Sequence, residues 1–362
     1  MSGWAASRRD SRGRLRRRVV AVAATAAVAF GAGRVAVAQT GSAAARGDPR
    51  TPGGTAATAA GGTPGAANAS DSLVGPLIIS SAGSMREALT AILAAFTRLH
   101  PRIEPQLTTG GSVAAARRVA DSTTVPDCFV SADDTLIDAL LMPRYASWSA
   151  AFARSVMVLA YTDASRYADE ISARNWVEVL TRASVHGARA DPSQDPGAYR
   201  AIMLFELAAR YYMRPDLVSA LEHTVRITDF GPGGSRLHTL FATGAIDYMP
   251  IYRPSAAERG LRWVELPPQV NLGDTAFAAS YAAVSVRIPA GTPGAPDSVT
   301  IRGAPIRYGL TVPRAARHSA AALAFARFVL SRAGQTVLRN AGFDPLEHPV
   351  LRGTPPAGLL DP

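Results

Sequence analysis

Four short stretches put small or capping residues directly ahead of a helical pattern: Gly83-Ser84, Gly110-Gly111-Ser112, Asp195-Pro196-Gly197 and Gly233-Gly234-Ser235. A helix start leaves backbone N–H groups unpaired and carries a partial positive charge. Glycine lets the backbone come close to a ligand. Several such termini facing one cleft would hold an oxyanion without a cationic side chain. Each stretch also has a purely local reading. Ser84 with Glu87 spells a capping box, Ser112 an N-cap, and Asp195 with Pro196 an N-cap followed by proline at the first helical position. The pattern by itself leaves both readings open.

Catalytic signatures are missing. Neither "SAGSM" nor "TGGSV" has the second glycine of a nucleophile elbow. The six histidines show no H-E-x-x-H or other ligand spacing. No P-loop occurs, and no G-x-G-x-x-G opens a helix. Asp133-Asp134 reads as a solvated turn. A single cysteine, Cys128, excludes an intramolecular disulfide and a multi-cysteine zinc site, and in "DCFVSAD" it reads as a small core residue on a strand. A binding protein is expected, not an enzyme, with no cofactor of its own.

The elements that must position these residues alternate in type. "PLIIS" is a short apolar run, and "MREALTAILAAFTRLH" follows with Leu89, Ile92, Leu93, Phe96 and Leu99 on one helical face. "RIEPQLTTGGS" is extended and "VAAARRVAD" helical. "DCFVSAD", "SVMVLAYT", "AIDYMPIY", "RWVEL" and "PIRYGLTVP" read as strands. "AIMLFELAARYYM", "SRLHTLFATG" and "HSAAALAFARFVLSRAGQTVLRNAG" read as helices. Alternation of this kind predicts α/β architecture. At 362 residues the chain exceeds one ordinary doubly wound sheet, which predicts two lobes.

The formal charge of +10 invites a nucleic-acid reading. Its location argues against one. Residues 1–38 carry eight arginines and one acid, so the remainder is nearly balanced and offers no basic stripe for a phosphate backbone. The N-terminus reads instead as an export signal: Arg16-Arg17-Arg18, the apolar "VVAVAATAAVAF", and Ala36-Val37-Ala38 as a small-x-small cleavage site. No lipid-attachment cysteine follows it. Residues 39–74, rich in Ala, Gly, Thr, Pro and Ser, cannot bury enough apolar surface to offset ordering and read as a disordered linker. A periplasmic location is expected.

At "GGSVAAARRVAD", "VSADDTLIDALLMPRYASW", "FARSVMVLAYTDASRYADEI", "DPSQDPGAYR", "TGAIDYMPIY" and "VELPPQVNLGD" the chain resembles the periplasmic tungstate- and molybdate-binding proteins of ABC importers, in the branch typified by archaeal members. The resemblance runs from about residue 76 to 348. It implies a class II periplasmic-binding-protein fold: two α/β lobes, two crossover strands and a ligand cleft between the lobes. The crossovers are expected near 156–161 and 248–252. That gives lobe one as 75–157 with 253–362, and lobe two as 158–252.

The same resemblance implies the contacts. Gly83, Ser84 and Ser112 would bind the oxyanion from lobe one, and Asp195, Pro196, Gly197 and Tyr252 would face them. Asp195, a carboxylate beside a dianion, makes sense as a direct ligand of the molybdenum or tungsten centre. Related members supply a second carboxylate, a glutamate, at the position aligned with Gly234; here it is absent. The implied partners are the oxyanion and a membrane permease with its ATPase, the protein itself acting as a monomer. Two alternatives are a receptor for another tetrahedral oxyanion, such as sulfate or phosphate, and a secreted enzyme on a similar fold.

Overall fold

The protein is described by a computed structural model covering residues 73–291 and 297–360. The expected signal peptide 1–38, and the linker 39–74 except its last two residues, lie outside that range.

The chain begins with β1 (Gly75–Ala82), which buries Leu77 and Ile79 in alternation, and a single 3-10 turn leads into α1 (Arg86–Leu99). Helix α1 buries Leu89, Ile92, Leu93 and Phe96, the i, i+3, i+4, i+7 stripe of an amphipathic helix. Leu99, expected on that face, sits at the fraying last turn and is 55% exposed. Then come β2 (Ile103–Gly110), α2 (Ser112–Ala120), β3 (Cys128–Ser131), α3 (Asp134–Leu140) and β4 (Trp148–Arg154). Cys128 is buried on β3, as expected.

Ser155 and Val156 carry the chain into a second set: β5 (Met157–Tyr161), α4 (Trp176–Leu180), β6 (Gly187–Arg189), α5 (Pro196–Tyr211), α6 (Leu217–Thr224), β7 (Val225–Ile227), α7 (Leu237–Ala242), β8 (Met249–Tyr252), α8 (Arg253–Glu258) and β9 (Arg262–Glu265). Strand β5 is buried on both faces. Met157, Leu159 and Tyr161 join the main core, whereas Val158 and Ala160 pack in a smaller cluster with Leu237, Phe241 and Ile251. The return path adds α9 (Ala278–Tyr281), the hairpin β10 (Ser285–Pro289) and β11 (Ser298–Arg302), then β12 (Arg307–Thr311), α10 (Ser319–Leu330), α11 (Arg332–Asn340) and β13 (Asp344–Gly353).

The first lobe is built on a six-stranded sheet ordered β13-β4-β12-β3-β1-β2. Strand β12 is antiparallel to both β3 and β4. In the second lobe β5 lies antiparallel between β8 and β9, and β6 pairs parallel with β7. A bridge from Gly187 to Tyr248 joins the two pieces into the order β7-β6-β8-β5-β9. The two lobes therefore repeat one plan. The first strand to join each sheet after the chain has crossed from the other lobe, β12 or β5, is inserted antiparallel beside three parallel strands.

This plan moves the expected crossovers. Strands β5 and β8, taken as crossings, both belong to the second sheet, and so does β9, which lies beyond the 158–252 assigned to lobe two. The return crossing follows Glu265. There the Asn271 carbonyl accepts from Met157 N–H at 2.9 Å and the Leu272 carbonyl from Ile306 N–H at 2.7 Å. The two connections thus run side by side.

Candidate binding cleft

The carboxyl ends of β1, β2 and β3 face those of β6, β7 and β8 across one cavity of ≈ 280 Å³. This is where open α/β sheets collect ligands, because the helices that follow parallel strands point their N-termini there. Of the anticipated residues, Gly83, Ser84, Asp195, Gly197, Tyr252 and Gly234 line the cavity. Ser112 and Pro196 do not line it and are buried behind its wall.

Ser84 is not a helix cap. It lies inside the 3-10 turn Gly83–Met85, and α1 starts after Met85 with no side-chain cap, so the capping box with Glu87 does not form. Its Oγ instead accepts a hydrogen bond of 2.9 Å from the Tyr308 hydroxyl. Ser112 is likewise not the N-cap. That role falls to Gly111, and Ser112 Oγ accepts from Ala132 N–H at 3.1 Å. Tyr252 closes β8, and its hydroxyl accepts from Arg200 Nη1 at 2.8 Å. A hydroxyl has one proton to give besides its acceptor lone pairs. All three hydroxyls accept from a protein donor, and none donates to a protein atom among the described residues. Burial raises the pKa of both Tyr252 and Tyr308, so both phenols stay protonated.

Asp195 caps α5, with Oδ1 accepting from Gly197 N–H at 2.7 Å and proline at the next position. Burial raises its carboxyl above the usual range, against hydrogen bonds from Gly197 and Ala198 and the charge of Arg200. A Cβ on Gly197 would lie 3.0 Å from Asp195 Oδ1, so a side chain there would press on the capping carboxylate.

Behind the cavity the lobes are locked together by groups that were not anticipated. Asp133 is almost fully buried rather than in a solvated turn. It caps α3 through Thr135 N–H, accepts from the Tyr199 hydroxyl at 2.6 Å, and forms an ion pair of 2.9 Å with Arg200. Burial pushes its carboxyl up, but Arg200 and the bonds from Tyr199 and Thr135 outweigh that and hold it below the usual range. Arg200 Nη1 also donates to the Ala132 carbonyl at 2.6 Å. Asp134, equally buried, lies 3.1 Å from both Arg307 Nε and Arg352 Nη2. Tyr199 and Arg200 were visible in the quoted D-P-x-x-Y-R stretch. Tyr308 had no local signal.

The β7 side of the cavity is basic. Gly234 has φ +80°, and a Cβ on it would lie 3.3 Å from Arg259 Nη2; one on Gly233 would lie 2.7 Å from Arg86 Nη2. Arg189, at the end of β6, lines the cavity too. Its Nε and Nη1 are buried without a hydrogen-bond partner among the described residues.

Residues 77–344 match the profile of the family described as bacterial extracellular solute-binding protein. The molybdate/tungstate-binding protein WtpA of Pyrococcus abyssi is 33% identical over 306 residues, 77% of this chain and 87% of that protein. Among solved structures, the sulfate-binding protein SubI of Mycobacterium tuberculosis H37Rv aligns with TM-score 0.54 at 16% identity, over 75% of this chain and 87% of that one. The periplasmic molybdate-binding protein of Azotobacter vinelandii aligns with TM-score 0.50 at 14% identity, over 74% and 98%. At those identities the structures speak for a shared two-lobed fold.

Proposed function

This chain belongs to the family of bacterial extracellular solute-binding proteins, and on that premise we propose that it captures tungstate or molybdate outside the cytoplasm and delivers the oxyanion to an ABC permease and its ATPase. The observation that carries the reading is the state of the hydroxyls. Ser84 and Tyr252 line the cavity and Ser112 adjoins it; each accepts from a protein donor and keeps its proton free for a guest. Such preset donors suit a group with acceptor oxygens on every side. In a closed cleft of low dielectric each counts for more than in water.

Lobe closure is the transport-competent event. Ligand contacts made from both lobes shift the population toward the closed form, which is the form a permease reads. Asp195 would add what hydrogen bonds cannot, an oxygen for the metal centre, and so disfavour sulfate. With Gly234 in place of a second carboxylate, Asp195 is the one carboxylate that the described cavity lining offers to the metal. The protein works as a monomeric binder that releases its cargo unchanged.

Calorimetry of the mature protein with tungstate, molybdate, sulfate and phosphate tests this. Tungstate and molybdate are expected to bind at least tenfold tighter than the other two, and Asp195→Ala to erase most of that margin. Equal affinities across the panel would overturn the metalate reading in favour of a general oxyanion receptor.

A further inference from the structure

Arg86, Arg189 and Arg259 line the same cavity as Ser84 and Tyr252, against one lining carboxylate, Asp195. Their own partners are few. Arg189 has buried Nε and Nη1 atoms without a hydrogen bond, Arg259 meets Glu258 at 3.8 Å, and Arg86 forms no ion pair among the described residues. Buried guanidinium nitrogens left bare are expensive, so a built anion site is their ordinary explanation.

Arg189 closes β6, on the lobe that also supplies the turn at Gly233 and Gly234. Arg86 and Arg259 reach over the bare turn at Gly233 and Gly234, in the space a side chain there would take. A single five-atom oxyanion seated at Ser84 and Tyr252 fills only part of ≈ 280 Å³, given about 30 Å³ for each water it displaces. It leaves the arginine end unmatched.

We infer that the cleft also admits a two-headed anion: a tetrahedral oxyanion seated at Ser84, Asp195 and Tyr252, joined through one or two atoms to a second anionic group forked by Arg189 and faced by Arg86 and Arg259. Guanidinium forks match planar and tetrahedral oxyanions alike through paired N–H donors. This rests on the reading of the cleft as an oxyanion site.

The probes are inorganic pyrophosphate and phosphonoacetate, titrated calorimetrically beside phosphate and tungstate. At least one two-headed probe is expected to bind tenfold or more tighter than phosphate. Arg189→Gln should cost the two-headed probe at least tenfold more affinity than it costs tungstate. Arg86→Gln should reduce the margin in the same direction and serves if Arg189→Gln does not fold. The inference is overturned if neither two-headed probe outbinds phosphate, or if the substitutions weaken tungstate as much as the two-headed probes. Tungstate binding without two-headed binding sinks this inference and leaves the proposed function standing. Two-headed binding without tungstate binding does the reverse.

Discussion

Ser84 shows how one hydroxyl can change meaning between sequence and structure. Its spacing to Glu87 is that of a cap, yet the turn before α1 is 3-10 and the hydroxyl is taken by Tyr308, 224 residues away. The position was legible, because a serine after small residues at a strand end is a local pattern. Its partner was not, because no local pattern reports a contact across that span. Gly83, Asp195 and Gly197 belong to the same kind of local pattern, whereas Tyr252 has none and comes only from the family resemblance. Asp133 was misread because a pair of adjacent acids looks solvated unless its cations, Arg200, Arg307 and Arg352, are known to converge from other elements. Tyr308→Phe isolates the unexpected contact. It removes one hydrogen bond, worth about 1 kcal/mol of folded-state stability, so thermal unfolding should fall by about 2–4 °C, and a Ser84 hydroxyl no longer held in place should bind tungstate severalfold more weakly. Unchanged affinity in calorimetry would mean that Ser84 is not oriented by Tyr308.

Among elements, those with strong periodicity or unbroken apolar runs were legible: α1, α5, β5, β8 and β12. The long C-terminal helix was expected in one piece, but Ser331 turns extended and caps Gly334 N–H, dividing it into α10 and α11. The pair β10–β11 alternates weakly and buries only Ile288 and Ile301, so its pattern carries little signal. The start of α2 matters most for binding. Gly111 sits so close to the opposite lobe that a Cβ there would lie 2.2 Å from the Gln194 carbonyl oxygen, and Ala114 N–H donates to that same oxygen at 3.3 Å. A methyl group at this point holds the lobes apart without touching the cavity's hydroxyls. Gly111→Ala should therefore weaken tungstate at least tenfold and abolish the ligand-induced decrease in radius seen by small-angle scattering. Affinity within threefold of the parent would show that closure does not require this approach.

At the scale of the whole molecule, charge buried between elements ties stability to pH. The Asp134 carboxyl is raised to about 6, first by burial and then by Asp133, against the pull of Arg307, Arg352 and Arg200. The folded state thus holds this proton more tightly than the unfolded chain does. The resulting stabilisation is full below the unfolded value near 4 and is lost as pH rises through about 6. Asp134→Asn mimics the protonated form. Its stability relative to the parent should rise by about 2 kcal/mol between pH 4.5 and pH 8 in urea unfolding. A difference that stays flat over that range would place the carboxyl's titration elsewhere.

The repeated plan of the two sheets also governs the order in which the chain becomes a protein. Strand β12 must slide between β3 and β4, yet it leaves the ribosome roughly 150 residues after β4, so the first lobe's centre is filled by pairings of very high sequence separation. Until the second lobe and the return crossing have been synthesised, β3 and β4 have no strand to join them. The N-terminal half stays an unfinished sheet during synthesis. A chain cut before Arg307 is therefore expected to lack the join between β3 and β4, with β12 acting as the latch that closes the first lobe's sheet.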